Sequence, residues 1–178
     1  EPISSFDDGT TEALVCVNLY EDVIQAALVN TRWRFATNQK VLNQLSDAPT
    51  GRYDLAYQLP SDLIMLHAIT VNDNLVEYQV YGDKVYADTA TSDVVIADYT
   101  FRANEQDFPS YFTLAVEFSL AVILATSIAR DPALASLMTQ RADAAMAKAR
   151  STDSQQQTTR KLETSRFLTA RRSYCKLL

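Results

Sequence analysis

Apolar residues recur along this chain in two rhythms, a helical one at both ends and an alternating one between them. From Thr11 to Thr31 they fall at Leu14, Val17, Tyr20, Ile24, Ala27 and Leu28, the three- and four-residue spacing of one helix face. Thr10-Thr11-Glu12 offers that helix a polar entry. Trp33 and Phe35 then alternate with Arg32, Arg34 and Ala36, while Val41, Leu42 and Leu45 fit either period and are read as extended.

Ala48-Pro49-Thr50-Gly51 is a turn signal, and beyond it Tyr53, Leu55, Tyr57 and Leu59 alternate with polar or small residues as in a half-buried strand. Pro60-Ser61-Asp62 interrupts the run. Leu66 to Val71, Val76 to Tyr81, Val85-Tyr86 after a Gly82-Asp83 turn, and Val94 to Phe101 extend it into a predicted antiparallel meander of short strands.

At Glu105 the helical rhythm returns: Phe108, Phe112, Ala115, Val116, Leu120, Ile123 and Leu124 make a helix apolar over more than half its circumference. Asp131-Pro132 reads as an N-cap followed by proline at the first helical position, opening a last helix through Leu134, Leu137, Met138, Ala142, Ala145 and Ala149. The expected fold is α+β and mainly helical. It is a helical bundle, an N-terminal helix (11–31) plus a C-terminal antiparallel helix pair (105–130 and 132–150), with a small inserted antiparallel β-sheet (35–102) and an extended C-terminal arm. Residues 1–150 form the predicted domain; 151–178 form a polar linker, rich in glutamine, and the arm.

Composition narrows the chemistry. The chain has 178 residues, 47% of them hydrophobic and 21% charged, which suits one folded domain with an appendage. Three glycines are too few for the permissive loops on which phosphate sites depend. Cys16 lies in a helical pattern and Cys175 near the end of the chain, so their spacing suggests neither disulfide nor metal pair but two thiols in a reducing compartment. No run approaches about 18 consecutive apolar residues, and no basic region followed by an apolar run opens the sequence, so a soluble chain without an export signal is expected.

Charge is divided unevenly. From Arg160 onward six basic residues face one acid, a balance of +5, and the total of −6 therefore leaves −11 on residues 1–159. An acidic body and a basic tail are expected to meet different partners, or one subunit's tail to meet another's body. Phe167, Leu168 and Tyr174 sit among Arg160, Lys161, Arg166, Arg171 and Arg172, too few apolar groups for a core but enough to dock on a protein surface.

No catalytic arrangement emerges. His67 is the only histidine and lies in a predicted strand, where a structural hydrogen bond is the expected role. Asp7-Asp8 and Glu21-Asp22 read as helix-start or solvated charge, not as a metal cage. A carboxylate pair built from Asp62, Asp93 or Asp98 has nothing in the sequence to select it, and Asp62 after Pro60 reads as a turn or capping residue. The nine tyrosines fall mainly in the acidic body, where phosphate would be repelled, and suit strand packing better than base stacking.

The order of these pieces resembles the head-to-tail adaptor, or tail tubular A, proteins of short-tailed phages. The likeness is carried by a first helix leading into Trp33-Arg34-Phe35-Ala36, then Tyr57-Gln58-Leu59-Pro60-Ser61-Asp62 and Tyr78-Gln79-Val80-Tyr81-Gly82-Asp83-Lys84-Val85-Tyr86. It continues through Val94 to Arg102 around Asp98-Tyr99, the Phe112 to Ala129 helix, and a terminal Phe167-Leu168-Thr169-Ala170-Arg171-Arg172. Members form rings of twelve subunits between the portal ring of the capsid and the tail nozzle, with double-stranded DNA passing through the centre.

The resemblance implies a virion protein of the neck, assembled in the host cytoplasm. It implies no catalysis, no cofactor, no metal and no membrane partner. The arm formed by Arg160 to Leu178 would engage the portal protein, although the chain runs a few residues past the usual arginine pair. A ring subunit needs self-complementary surfaces more than a pocket, and an acidic body repeated around a channel would keep DNA from sticking. The competing expectations are a tail-completion or stopper ring of the same particle, a DNA-binding module using the basic tail, and a hydrolase built on Asp62 and Asp98.

Overall fold

The computed structural model describes residues 7–46 and 51–156. Helix α1 spans Thr11–Asn30, and the Thr10 hydroxyl caps it by accepting from the Ala13 amide at 3.2 Å, satisfying one of the amides a helix start leaves without a partner. At the other end the Trp33 indole Nε1 donates to the Ala27 carbonyl at 2.8 Å, so an orphan carbonyl of the last turn is satisfied by the residue that seals the core.

Arg34–Ala36 form a single 3-10 turn where a strand was expected. Eight strands follow: β1 (Thr37–Val41), β2 (Asn43–Gln44), β3 (Leu55–Gln58), β4 (Leu63–Val71), β5 (Asn74–Leu75), β6 (Tyr78–Tyr81), β7 (Lys84–Ala87) and β8 (Val95–Phe101). The Ala48-Pro49-Thr50 part of the predicted turn lies outside the described residues.

These strands do not form the predicted meander, nor a small insertion in a helical bundle. They make two four-stranded antiparallel sheets, ordered β1-β8-β4-β5 and β2-β3-β7-β6. Among the described residues the fold is therefore α+β with two full sheets beside three helices, and the expected helical bundle with a small inserted sheet is corrected. The physical reason is a second core. Leu42, Tyr57, Leu59, Ile69, Val71, Val85, Val95, Ala97 and Tyr99 pack on one another between the strands, so the strands bury their own apolar faces and do not depend on the helices for cover. The two sheets share their margins, because residues 37–44 run from β1 into β2 and residues 74–81 run from β5 into β6.

Turns fix the register. Asn72 and Asp73 both take positive φ, 49° and 63°, in the two-residue connection between β4 and β5, the backbone that matches strand twist in a tight hairpin. Gly82, at φ 61°, does the same work between β6 and β7. Two irregularities interrupt the β4–β8 pairing, between Leu63 and Met65 and between Leu66 and Ala68. A bulge re-aims the extra residue: Ile64 packs on the helical core while Leu63 and Leu66 pack in the sheet core.

After β8 the chain makes a 3-10 turn at Glu105–Asp107 and then α2, Ser110–Leu124, which runs on as a π-helical turn over Ala125–Ala129. The predicted 105–130 helix thus starts late, because Pro109 has no amide to continue a helix from upstream and stands at its first cap. Arg130 turns the corner at φ 51°. Helix α3, Pro132–Ser154, opens on Asp131, whose carboxylate accepts from the amides of Ala133 at 2.9 Å and Leu134 at 3.1 Å. It runs past Ala149 into the stretch read as linker.

The helical core gathers Ile24, Ala27, Leu28, Trp33, Ala36, Phe112, Ala115, Val116, Met146 and Ala149. Trp33 lies at its centre, with ring centroids 5.2 Å from Phe112, 6.1 Å from Phe35 and 6.4 Å from Tyr111. Phe101, at the end of β8, packs against both cores and joins them.

Candidate interaction surface

The residues with potential chemistry are dispersed. His67 occupies the second β4 bulge, where its Nε2 lies 2.7 Å from the Thr100 hydroxyl. Burial, followed by the nearby Arg32 cation, pushes its pKa below the ordinary value, with the Asp98 charge opposing. Thr100 is fully buried and leaves no space for a substrate at its oxygen. Asp62 accepts from the Tyr99 hydroxyl at 3.3–3.4 Å. Asp98, the neighbour of Tyr99 in β8, projects to the other face of the sheet because strand side chains alternate. The two acids of the hydrolase reading therefore stand on opposite faces, and Asp93 spends its carboxylate on the Ala90 amide at 2.9 Å. One Asp98 oxygen is buried without a hydrogen-bond partner. Among the described residues no three histidine, cysteine or acidic side chains gather as metal ligands.

Two polar junctions brace the molecule. Asp153, 4% exposed, accepts from the Tyr111 hydroxyl at 2.8 Å and from the Arg34 amide at 3.2 Å. It ties the end of α3 to α2 and to the Trp33–Ala36 corner, and Gln156 adds a 3.3 Å bond to the Tyr111 hydroxyl. Burial first, then the Asp153 hydrogen bond and charge, push the Tyr111 pKa up to about 12. The second junction is Arg102, which pairs with Glu21 of α1 at 2.9 Å, bonds Glu105, and lies 5.5 Å over the Phe108 ring. Neither junction was identified from the sequence. Asp153 stood in a polar run with no apolar neighbour to mark burial, and the Glu21 to Arg102 contact spans 81 residues.

Part of the exposed surface is apolar. Ser110–Ala129 has a mean hydropathy of 2.0, yet only 22% of its most apolar window is buried. By length and composition it is apolar enough to cross a membrane, although its longest unbroken apolar run, 120–125, falls far short of about 18 consecutive residues. Glu117, Ser119, Thr126 and Ser127 break the run, but their neighbours raise the average. Phe112, Ala115, Val116 and Ala125 are buried in it, Phe118 and residues 120–124 are half-buried, and Leu114 is its one large apolar side chain that stands exposed, at 46%.

Two grooves follow this surface. One, of about 670 Å³, runs between α2 and α3 and is lined by Leu114, Glu117, Ala145, Lys148 and Thr152 among others. The other, of about 350 Å³, lies at the tip of the hairpin between Leu124, Ile128, Leu134 and Met138, with Glu12 of α1 at its edge. A third, more polar hollow of about 560 Å³ opens at the margin of the sheets, between Lys40, Asn43, Gln58, Ser61 and Asp83. Its Asp83 carboxylate and carbonyl are already engaged by the Gln58 amide at 3.1 and 3.0 Å.

The arm residues singled out for docking, Arg160, Lys161, Arg166, Phe167, Leu168, Arg171, Arg172 and Tyr174, lie outside the described residues. No protein-family model matches the chain, and no curated protein matches it.

Proposed function

We propose that this chain is a structural subunit of the ring that joins the head of a tailed bacteriophage to its tail, and that it acts by assembly and not by catalysis. The observation that carries the reading is the set of apolar side chains left exposed on the helices, Leu14, Val17 and Val29 on α1, Leu114 on α2 and Leu137 on α3, which a self-associating subunit would bury. The resemblance of Trp33 to Ala36, Tyr57 to Asp62, Tyr78 to Tyr86 and the terminal arginine pair to head-to-tail adaptors supports the choice of assembly.

In this reading copies of the acidic body surround the DNA passage and repel the phosphates, and the ring stands above the tail nozzle. The basic arm, with Phe167, Leu168 and Tyr174 as its apolar contacts, docks on the portal protein, where charge attraction adds to a small apolar contact.

The test uses purified full-length protein, a version ending at residue 159, and isolated portal rings. The full-length chain is expected to bind the portal rings, the shortened one to lose that binding, and neither to bind duplex DNA at moderate salt. Steeply salt-dependent binding to duplex DNA, lost with residues 160–178, would replace the proposal with a DNA-binding module.

The apolarity of Ser110–Ala129 favours a second reading, insertion into a membrane. Against it, Phe112, Ala115 and Val116 already face a protein core shared with α1 and α3. Flotation of the purified chain with lipid vesicles would favour insertion; recovery of the chain at the bottom of the gradient would dismiss it.

A further inference from the structure

The helices present two unlike flanks. Helices α1 and α3 both pack on α2 and hardly on each other, so each keeps an outer face of its own. On α1 the outer stripe is Leu14, Asn18, Asp22, Gln25 and Val29, spaced by three and four residues and all exposed. Leu14 is 55% exposed and Val29 44%. Helix α1 contains three acids and no basic residue, and Glu21 is already paired with Arg102. On α3 the exposed stripe is Leu137, Arg141, Ala144 and Lys148, again at helical spacing, and Lys148 borders the α2–α3 groove with Leu114. Asp22, Arg141 and Lys148 form no ion pair with another described residue.

We infer that the α1 stripe of one copy seats on the α3 stripe and α2–α3 groove of the next copy, with Leu14 and Val29 against the exposed Leu114 and Leu137 and Asp22 facing Arg141 and Lys148. Three observations converge on a second copy as the occupant. Asp22 is opposite in sign to Arg141 and Lys148, none of the three forms an ion pair with another described residue, and Glu117 is the acid that lines the groove beside Lys148. On α2 the groove is lined by Tyr111 and Leu114 among Ser110, Thr113 and Glu117, and on α3 by Ala145 and Ala149 beside Lys148, and an amphipathic helix laid in such a groove is a recurring mode of protein recognition. The two surfaces share no residue, so one copy can use both at once. Such a contact is heterologous: it adds copies head to tail, and a fixed rotation at each step closes them into a ring. The inference rests on the ring-subunit reading and names its subunit contact.

The experiment is sedimentation velocity on the full chain and two variants, each checked by thermal melting. The first variant, Asn18→Lys with Asp22→Lys, makes both flanks basic. The second, Arg141→Glu with Lys148→Glu, makes both acidic. Wild-type mass is expected to rise with concentration, less at high salt, and each variant alone to lose about tenfold or more of its association constant. An equimolar mixture is expected to recover association, because every contact again joins opposite charges.

A variant that associates like wild type, or a mixture that stays monomeric although both variants melt normally, would overturn the contact. Wild type that remains monomeric up to its solubility limit would overturn it too. None of these outcomes touches portal binding, so failure of this contact is distinguishable from failure of the adaptor reading.

Discussion

Replacing Asp153 by alanine is the sharpest test of how the helical unit holds together. The carboxylate accepts from the Tyr111 hydroxyl at 2.8 Å and the Arg34 amide at 3.2 Å, so truncation leaves two donors without their acceptor. Hydrogen bonds to a charged group contribute about 1.5–3 kcal/mol each where water is excluded. Both donors are only partly buried, so water recovers part of the loss and the net cost is about 2–4 kcal/mol. For a chain of this size that lowers Tm by about 5–15 °C. Urea unfolding of wild type, Asp153→Ala, Tyr111→Phe and the double variant would measure it, and a coupling of about 1–2 kcal/mol between the two side chains is expected.

The same junction sets a pH dependence. The Tyr111 pKa is raised to about 12 in the fold, so the neutral phenol is favoured there over the unfolded chain. The resulting stability is present in full below the ordinary tyrosine value near 10 and is lost as pH rises through about 12. Tyr20 and Tyr99 are raised as well, so the informative quantity is the difference between wild type and Asp153→Ala, which should narrow over that window. An Asp153→Ala cost below about 0.5 kcal/mol, or a gap independent of pH, would refute the assignment of Asp153 as the brace.

Other consequences are open to direct measurement. Trp33 is the only tryptophan and fully buried, so native fluorescence should be blue-shifted and resist aqueous quenchers, and Trp33→Ala should cost about 3–5 kcal/mol in urea unfolding. Arg102→Ala should cost about 1 kcal/mol or less, being a largely solvent-screened pair. Because Arg102 first of all holds the Glu21 and Glu105 pKa values down, this contribution is present above the ordinary glutamate range. It should disappear as pH falls through their depressed folded values, so wild type and Arg102→Ala converge in acid. Arg130 sits at φ 51° between α2 and α3, and Arg130→Gly, which relieves the Cβ clash of that conformation, should leave stability unchanged or raise it by up to about 1 kcal/mol in the same assay.

Local chemistry made the starts of α1 and α3 legible. Thr10 and Asp131 cap the helices at the positions their sequence context suggests, and Pro132 opens α3, because a cap depends on residues within one turn of it. Strand positions were legible from alternation as well, from Leu55 to Leu59 and from Val94 to Phe101. Partners were not. β8 lies between β1 and β4, from which it is separated by tens of residues, and no local pattern encodes such a pairing. The sheet was expected as a small insertion, and the core that Tyr57, Val85 and Tyr99 share depends on which strands lie beside one another.

The surface is a similar case. The composition of α2 suggested a helix packed on several sides, and its neighbours leave Phe112, Ala115 and Val116 buried, Phe118 and residues 120–124 half-buried and Leu114 exposed. Trp33, read as part of an alternating strand, instead closes α1 and centres the aromatic cluster, because the Arg34–Ala36 turn swings it inward.

The central claim is that this chain builds a ring between the capsid portal and the tail. Cryo-electron microscopy of virions that carry it, reconstructed at the neck, tests that most directly. The account predicts a closed ring of twelve copies beneath the portal, with α1 of each subunit against the α2–α3 face of its neighbour and residues 160–178 against the portal. A neck reconstructed to side-chain detail without density for this chain would contradict it.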